Sequence, residues 1–524
     1  MDREDTTQAL IESLQTRYPT RGFKIHPAIS FSLNQSSDGI GCIAKDDIKQ
    51  DEILLVIPNA TRISTSNVMN TKELRNLSKN IERKCKQVNA QMIAPEDFAL
   101  VVAVMHVLSK KQTEPTNPFV LQAFTWPSEN EMKESSMFYW DESKIKEIWN
   151  RSLLDYEFTK RRENVRQIFE EAIFPLLKND SDNFVDTSLA SNTNALLSQK
   201  DALRNTFVYA FSLQWSRAHA SPDTELVPLV ELLNGNSSRV NQSEKPGKLV
   251  DKLVINVAMA SGKWPFLEGS IFRDGCNLPC SAIYASRDLE KGEELFIDYG
   301  DLSPVSFVYQ YGTLPANFIS HHDIQTEVSV WCDPSLISTN HRLECFRRHD
   351  FIVEELKSNS CILCNIGLED YVDMYLQGCY EPDSIKNIRR ISILCMLTHE
   401  ELERNLALKV PLDVLYKTQV LPLMCQIIDY NLKELDHSNK SSANDMERAK
   451  KSGTPAWEKA ALLARLSYRE SLIRWRHAIA RQGIPSHVDG KNNGLLPCLA
   501  SGGCALCGRT YPCLMCTRCK KVKY

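Results

Sequence analysis

The architecture expected of the chain follows first from Lys291-Gly292-Glu293-Glu294-Leu295-Phe296-Ile297-Asp298-Tyr299-Gly300. Lys-Gly is a turn signal, Glu294–Ile297 is strand-like, and the strand ends on a tyrosine followed by glycine. Tyr309-Gln310-Tyr311-Gly312 follows it. Upstream stands Leu226-Val227-Pro228-Leu229-Val230-Glu231-Leu232-Leu233-Asn234-Gly235, with Ser216-Arg217-Ala218 shortly before it. Further upstream, Asp38-Gly39-Ile40-Gly41-Cys42-Ile43-Ala44 leads into Asp47–Leu54. Each piece alone has an ordinary reading. Asn-Gly is the strongest short hairpin signal, Gly39 and Gly41 fit a loop, Arg217 fits a solvated helix face, and Tyr299 fits a half-buried strand. Their order along one chain is what asks for a common explanation.

The 524 residues exceed one ordinary domain and suggest two to four. With 43% hydrophobic and 24% charged residues, collagen-like and disordered classes are excluded. Sixty-two basic residues nearly cancel 66 acidic ones, leaving a net charge of −4 and no global positive field for a phosphate backbone. Direct nucleic-acid binding is therefore not expected. The acidic, polar N-terminus lacks the features of a secretory signal or transit peptide. The longest apolar run, Phe98–Leu108, falls well short of the ~20 residues that span a bilayer. The expectation is a nuclear or cytoplasmic protein with no membrane partner, whose 17 cysteines are mostly thiols, so that clustered ones become metal candidates.

Short strand-like pieces (Ile53–Ile57, Leu253–Val257, Ser281–Tyr284, Glu294–Ile297) occur on both sides of an amphipathic helical pattern at Leu153–Leu177. Residues 20–315 thus read as a β-rich domain carrying a helical insertion at about 60–225. From 330 to 482 the patterns are helical, including Glu400–Ala407, Val410–Lys433 and Trp457–Arg481, and an all-α domain is expected there. Asp436–Thr454, charged and Ser-rich, reads as a mobile loop, and Cys361 and Cys364 as thiols packed between helices. Residues 483–503 read as a linker. The fold class is α+β.

The three quoted segments together resemble the motifs of a SET domain, in sequence order. The long helical insertion, Ser216-Arg217-Ala218 and the trailing helical region are similar to the branch of the RuBisCO large-subunit methyltransferase. That resemblance implies an S-adenosyl-L-methionine (SAM)-dependent protein-lysine N-methyltransferase whose trailing domain holds the protein substrate. It assigns Asp38, Gly39, Ile40, Arg217, Asn234, Gly235 and Tyr299 to cofactor contact, Tyr299 to catalysis and Tyr311 to the lysine channel. The family usually has histidine where this chain has Gly235. The chemistry is coherent, since a sulfonium-activated methyl group needs only an aligned neutral amine and exclusion of water. Lysine, with a pKa of about 10.4 in water, favours that neutral form in an apolar channel beside a cation. Two other functions fit the same residues: methylation of another side chain such as histidine, and a weakly catalytic interaction scaffold.

Cys504-Ala-Leu-Cys507 and Cys516-Thr-Arg-Cys519 are two C-x2-C knuckles at a spacing that suits tetrahedral Zn²⁺. Residues 504–524 resemble the opening half of a MYND zinc finger. Either the four thiolates close one site among themselves, with Cys513 able to replace one, or the segment is an incomplete finger.

Overall fold

The computed structural model describes residues 3–18, 22–33, 40–88, 94–149, 152–186, 198–220, 224–236, 255, 257–264, 276–299, 302–314, 327–331, 363–367, 421–436 and 442–482. Its strands are β1 (Lys24–Ile25), β2 (Ile29–Leu33), β3 (Ile40–Ala44), β4 (Ile53–Pro58), β5 (His219–Ala220), β6 (Thr224–Glu225), β7 (Asn234–Asn236), β8 (Val257–Trp264), β9 (Cys276–Ala285), β10 (Phe296–Asp298), β11 (Glu327–Trp331) and β12 (Leu363–Gly367). Six form one sheet in the order β1-β4-β9-β8-β10-β7, and β2–β3, β5–β6 and β11–β12 are two-stranded pairs.

Strand β4, Ile-Leu-Leu-Val-Ile-Pro, is buried along its whole length because it lies between β1 and β9 with both faces covered. A continuous apolar run, rather than alternation, is what such a position requires. Strand β10 is set between β7 and β8 and runs parallel to both, pairing Phe296 with Asn234, Ile297 with Gly235 and Asp298 with Asn236. Just before it, the Ala44 amide donates to Glu293 O and the Leu295 amide to Cys42 O, both at 2.8 Å. The chain from 292 to 298 is therefore pinned first to β3 and then to β7, and this brings together three segments far apart in sequence.

The described residues between Thr65 and Arg217 are mostly helical. Their apolar run forms the helix Pro95–Ser109, which buries ten side chains around its circumference and serves as the central element rather than a surface helix. The amphipathic pattern at 153–177 is one long helical stretch with a π turn at Phe169–Ile173. Pro175, which has no N–H to offer the turn before it, accounts for that widening.

The helices Leu421–Asp436, Ser442–Lys450 and Ala456–Gln482 share one apolar core with the insertion. Trp149 donates its indole N–H to Ala461 O at 3.0 Å, and Trp140 faces Trp457 with ring centroids 5.5 Å apart. Three readings change here. The stretch 330–482 contains a strand, β12, paired antiparallel with β11, so its described residues are not all helical. Cys364 lies on that strand opposite Val330, and not on a helix; Cys361 lies outside the described residues. The expected loop at 436–454 contains the helix Ser442–Lys450, because buried Asp445 pairs with buried Arg465 and Arg448 joins Glu458 and Glu147. Residues 400–407, the 483–503 linker and the 504–524 cysteine knuckles lie outside the described residues. Among the described residues, no helix is long and apolar enough to cross a membrane.

Candidate active site

Where β10 ends, Tyr299 turns its ring onto Tyr311, stacked with centroids 4.3 Å apart and planes 22° apart. Phe307 completes the cluster at 4.7 Å from Tyr311 and 6.0 Å from Tyr299. Phe307 and Tyr311 are presented by the helix Pro304–Tyr311, capped at its start by the Ser303 hydroxyl and at its end by left-handed Gly312. On the opposite face of that helix, Tyr309 donates to Leu154 O at 2.8 Å and lies under the Arg161 guanidinium, which anchors the helix to the insertion. The Tyr299 hydroxyl donates to Leu233 O at 3.2 Å. Burial pushes the Tyr299 phenol up, against the opposing pull of Arg217, and burial also pushes Tyr311 up. Both hydroxyls stay protonated.

Beside this cluster, Arg217 ends the long helix Gln199–Arg217 and donates one guanidinium N–H to Glu231 O at 2.5 Å. Asn234, on β7, donates its amide to the Glu294 carboxylate at 2.5 Å. Gly41 lies against that pair, and a Cβ there would sit 2.8 Å from Glu294 Oε1. The second glycine of the Gly39-x-Gly41 segment thus makes room for a side chain of this chain. Glu231 is buried, and its Oε1 accepts from Gln122 and from the Trp126 indole, both at 2.9 Å, while Oε2 has no hydrogen-bond partner among the described residues. Burial outweighs those two donors and raises its carboxyl to about 7.

A family model of the SET domain matches residues 39–300, half of the chain. The chain belongs to the SET-domain family. Among solved structures, the SET domain of LSMT bound to lysine and AdoHcy is 14% identical, with a TM-score of 0.58 and 91% of each chain covered. Rubisco LSMT bound to AdoMet, and the same protein bound to sinefungin and monomethyllysine, are each 13% identical with TM-scores of 0.57, covering 91% of this chain and 92% of theirs. At these identities the likeness is one of fold. No curated protein matches the chain.

Within this SET domain, Gly235, Tyr299 and Tyr311 lie in contact, Asn234 adjoins Gly235 on β7, and the Arg217 charge reaches Tyr299. Asp38 and Gly39 lie outside the described residues. Ile40 heads β3 with its side chain buried in the sheet-side core, so only its backbone is left for a ligand. Asn234-Gly235 is a strand in register with Phe296-Ile297, not a hairpin turn, because the return of the chain at 292–298 supplies a parallel partner that local sequence does not announce. Glu294, Glu231, Gln122 and the Leu233 carbonyl were missed. Glu294 had a signal, since it stands inside the quoted Lys291–Gly300 stretch, and its spacing before the strand puts it next to β3.

Proposed function

We propose that this SET-domain chain is a SAM-dependent protein-lysine N-methyltransferase. The observation that carries the proposal is the stacked Tyr299–Tyr311 pair lying against Gly235, next to Asn234 and its partner Glu294 and within reach of the Arg217 charge, on a fold shared with structures described as bound to AdoMet, lysine and monomethyllysine.

The residues fit the cofactor's groups. Arg217 spends one N–H on Glu231 O and makes no other hydrogen bond among the described residues, which leaves N–H groups of its fork for a carboxylate. Asn234 and Glu294 offer oxygen atoms to an ammonium group. Asp38, Gly39 and the Ile40 backbone complete the binding set in this reading. SAM supplies a methyl group activated on a sulfonium cation. The chain's own residues would do the rest. The ring edges of Tyr299 and Tyr311 would bound an apolar channel that strips a lysine ammonium of water, and that desolvation favours its neutral form. With its proton committed to Leu233 O, the Tyr299 hydroxyl has only lone pairs left to offer, so it accepts an N–H of the amine and fixes the direction of the nitrogen lone pair. The helical region 330–482 presents the protein carrying that lysine.

Calorimetric titration of SAM into the purified chain is the direct test. One site per chain is expected, and Asn234→Ala should weaken it about tenfold or more through loss of a charge-assisted contact. No binding by the wild type would dismiss the enzyme in favour of a scaffold, and unchanged affinity in Asn234→Ala would remove Asn234 from the cofactor site.

The tail adds a second expectation within the same reading: Cys504, Cys507, Cys516 and Cys519 hold one structural zinc of MYND type. Elemental analysis of protein purified without added metal should give a stoichiometry near one. A value near zero would exclude the site.

A further inference from the structure

Glycine inside a strand weakens it, and its usual excuse is a backbone conformation that other residues avoid. Gly235 has no such excuse. Among the described residues the glycines with positive φ are Gly292, Gly312 and Gly453, while Gly235 sits in the middle of β7 in register with Ile297. What glycine supplies at 235 is the missing side chain. A Cβ there would lie 2.0 Å from Cε1, and 2.1 Å from both Cδ1 and Cζ, of Tyr299. The Tyr299 ring rests on the bare Cα. It cannot give way cheaply, because Tyr311 is stacked on it at 4.3 Å and its hydroxyl is tied to Leu233 O, two residues before the glycine. Gly41 differs: there the nearest atom is the far end of the flexible Glu294 side chain.

We propose that Gly235 is a positioning residue for Tyr299, a seat whose missing Cβ fixes where the aromatic ring and its hydroxyl stand beside Tyr311. Any side chain at 235, down to a methyl group, forces the ring to give up Tyr311, Leu233 O or both. The proposal rests on the methyltransferase reading only for its consequence, which is that occupancy of this seat sets the hydroxyl's aim at the amine. No side chain at 235, histidine included, can coexist with the Tyr299 ring in this position.

The test is a double-mutant cycle in the full-length chain with Gly235→Ala, Tyr299→Ala and the double variant, read by thermal unfolding and by near-ultraviolet circular dichroism of the tyrosine pair. Gly235→Ala alone should lower the unfolding midpoint and remove the dichroic signal of the stacked pair, as Tyr311→Leu, which deletes one ring of the pair, is also expected to do. In the Tyr299→Ala background the same substitution should cost about a third as much or less, because nothing is left to collide with. Equal costs in the two backgrounds, or an unchanged tyrosine signal in Gly235→Ala, would overturn the seat. Should Gly235→Ala fail to fold, recovery of folding in the double variant supports the proposal, and its failure while Tyr299→Ala folds overturns it. None of these readouts involves methyl transfer. A coupled pair in a chain that transfers no methyl group would refute the enzymatic reading and leave the seat standing.

Discussion

Tyr299→Phe is expected to keep SAM binding and to lose methyl transfer by at least about 10²-fold, or roughly 2.7 kcal/mol of transition-state stabilisation. Phenylalanine preserves the ring that stacks on Tyr311 and rests on Gly235, so the aromatic walls and the apolar environment remain. What disappears is one oxygen atom. That oxygen donates to Leu233 O, and its lone pairs are the acceptor that holds the amine in line. The hydrogen bond to Leu233 O is itself worth only about 1 kcal/mol of stability, so the variant should fold normally. Single-turnover measurements with saturating SAM separate the effect on chemistry from any effect on binding. A near wild-type rate on the true protein substrate would show that the hydroxyl does not orient the amine.

How much of this was legible in the sequence depends on the range of the forces involved. The segments around Gly39, Asn234 and Tyr299 could be read because each carries local signals of turn and strand, and because their order narrows the choices to one family. Their pairing could not. The parallel register of Phe296 on Asn234 depends on the chain at 292–298 being held by Ala44 and Cys42, some 250 residues away in sequence, an order of separation that no local pattern encodes. The same limit hid the helix at Ser442–Lys450. Its charged composition suggests a loop, and what orders it is the pairing of Asp445 with Arg465 and of Arg448 with Glu147. Strand β11 had a signal in the β-branched Val328 and Val330 alternating with Glu327, Ser329 and Trp331, but its partner β12 lies beyond a long intervening stretch. Glu231 shows the complementary failure. A glutamate in an apolar segment predicts little until Gln122 and Trp126 are found donating to it from the insertion.

The largest stability effect is expected where the helical insertion leaves and rejoins the sheet. Arg62 stands just after β4 and is 1% exposed; its guanidinium pairs with Glu225 on β6 and donates to the Ser281 hydroxyl on β9 at 2.8 Å. Next to it the backbones of Ile63 and Leu226 exchange two hydrogen bonds of 3.0 and 2.9 Å. Entry and exit of the insertion are thus clamped together, and Leu226 opens the run that delivers Glu231, Leu233 and Asn234 to the site. Arg62→Ala leaves the buried Glu225 without its guanidinium partner and should cost about 3–5 kcal/mol. Replacing both partners, as Arg62→Met with Glu225→Leu, should cost far less, since most of the penalty arises from a buried charge that has lost its counter-charge. The pH dependence has a definite sign. The ion pair stabilises only while the carboxyl is charged, so the variant's deficit relative to the wild type shrinks as pH falls into the carboxylate range. His219, facing Glu225 across β5 and β6, responds too: burial first and the Arg62 charge second hold its imidazole down to about 4, and removing the charge lets it rise. Denaturant midpoints at neutral and acidic pH decide the matter. A cost below about 1 kcal/mol at neutral pH, or a deficit that grows on acidification, would mean that the Arg62–Glu225 pair is not what clamps the insertion.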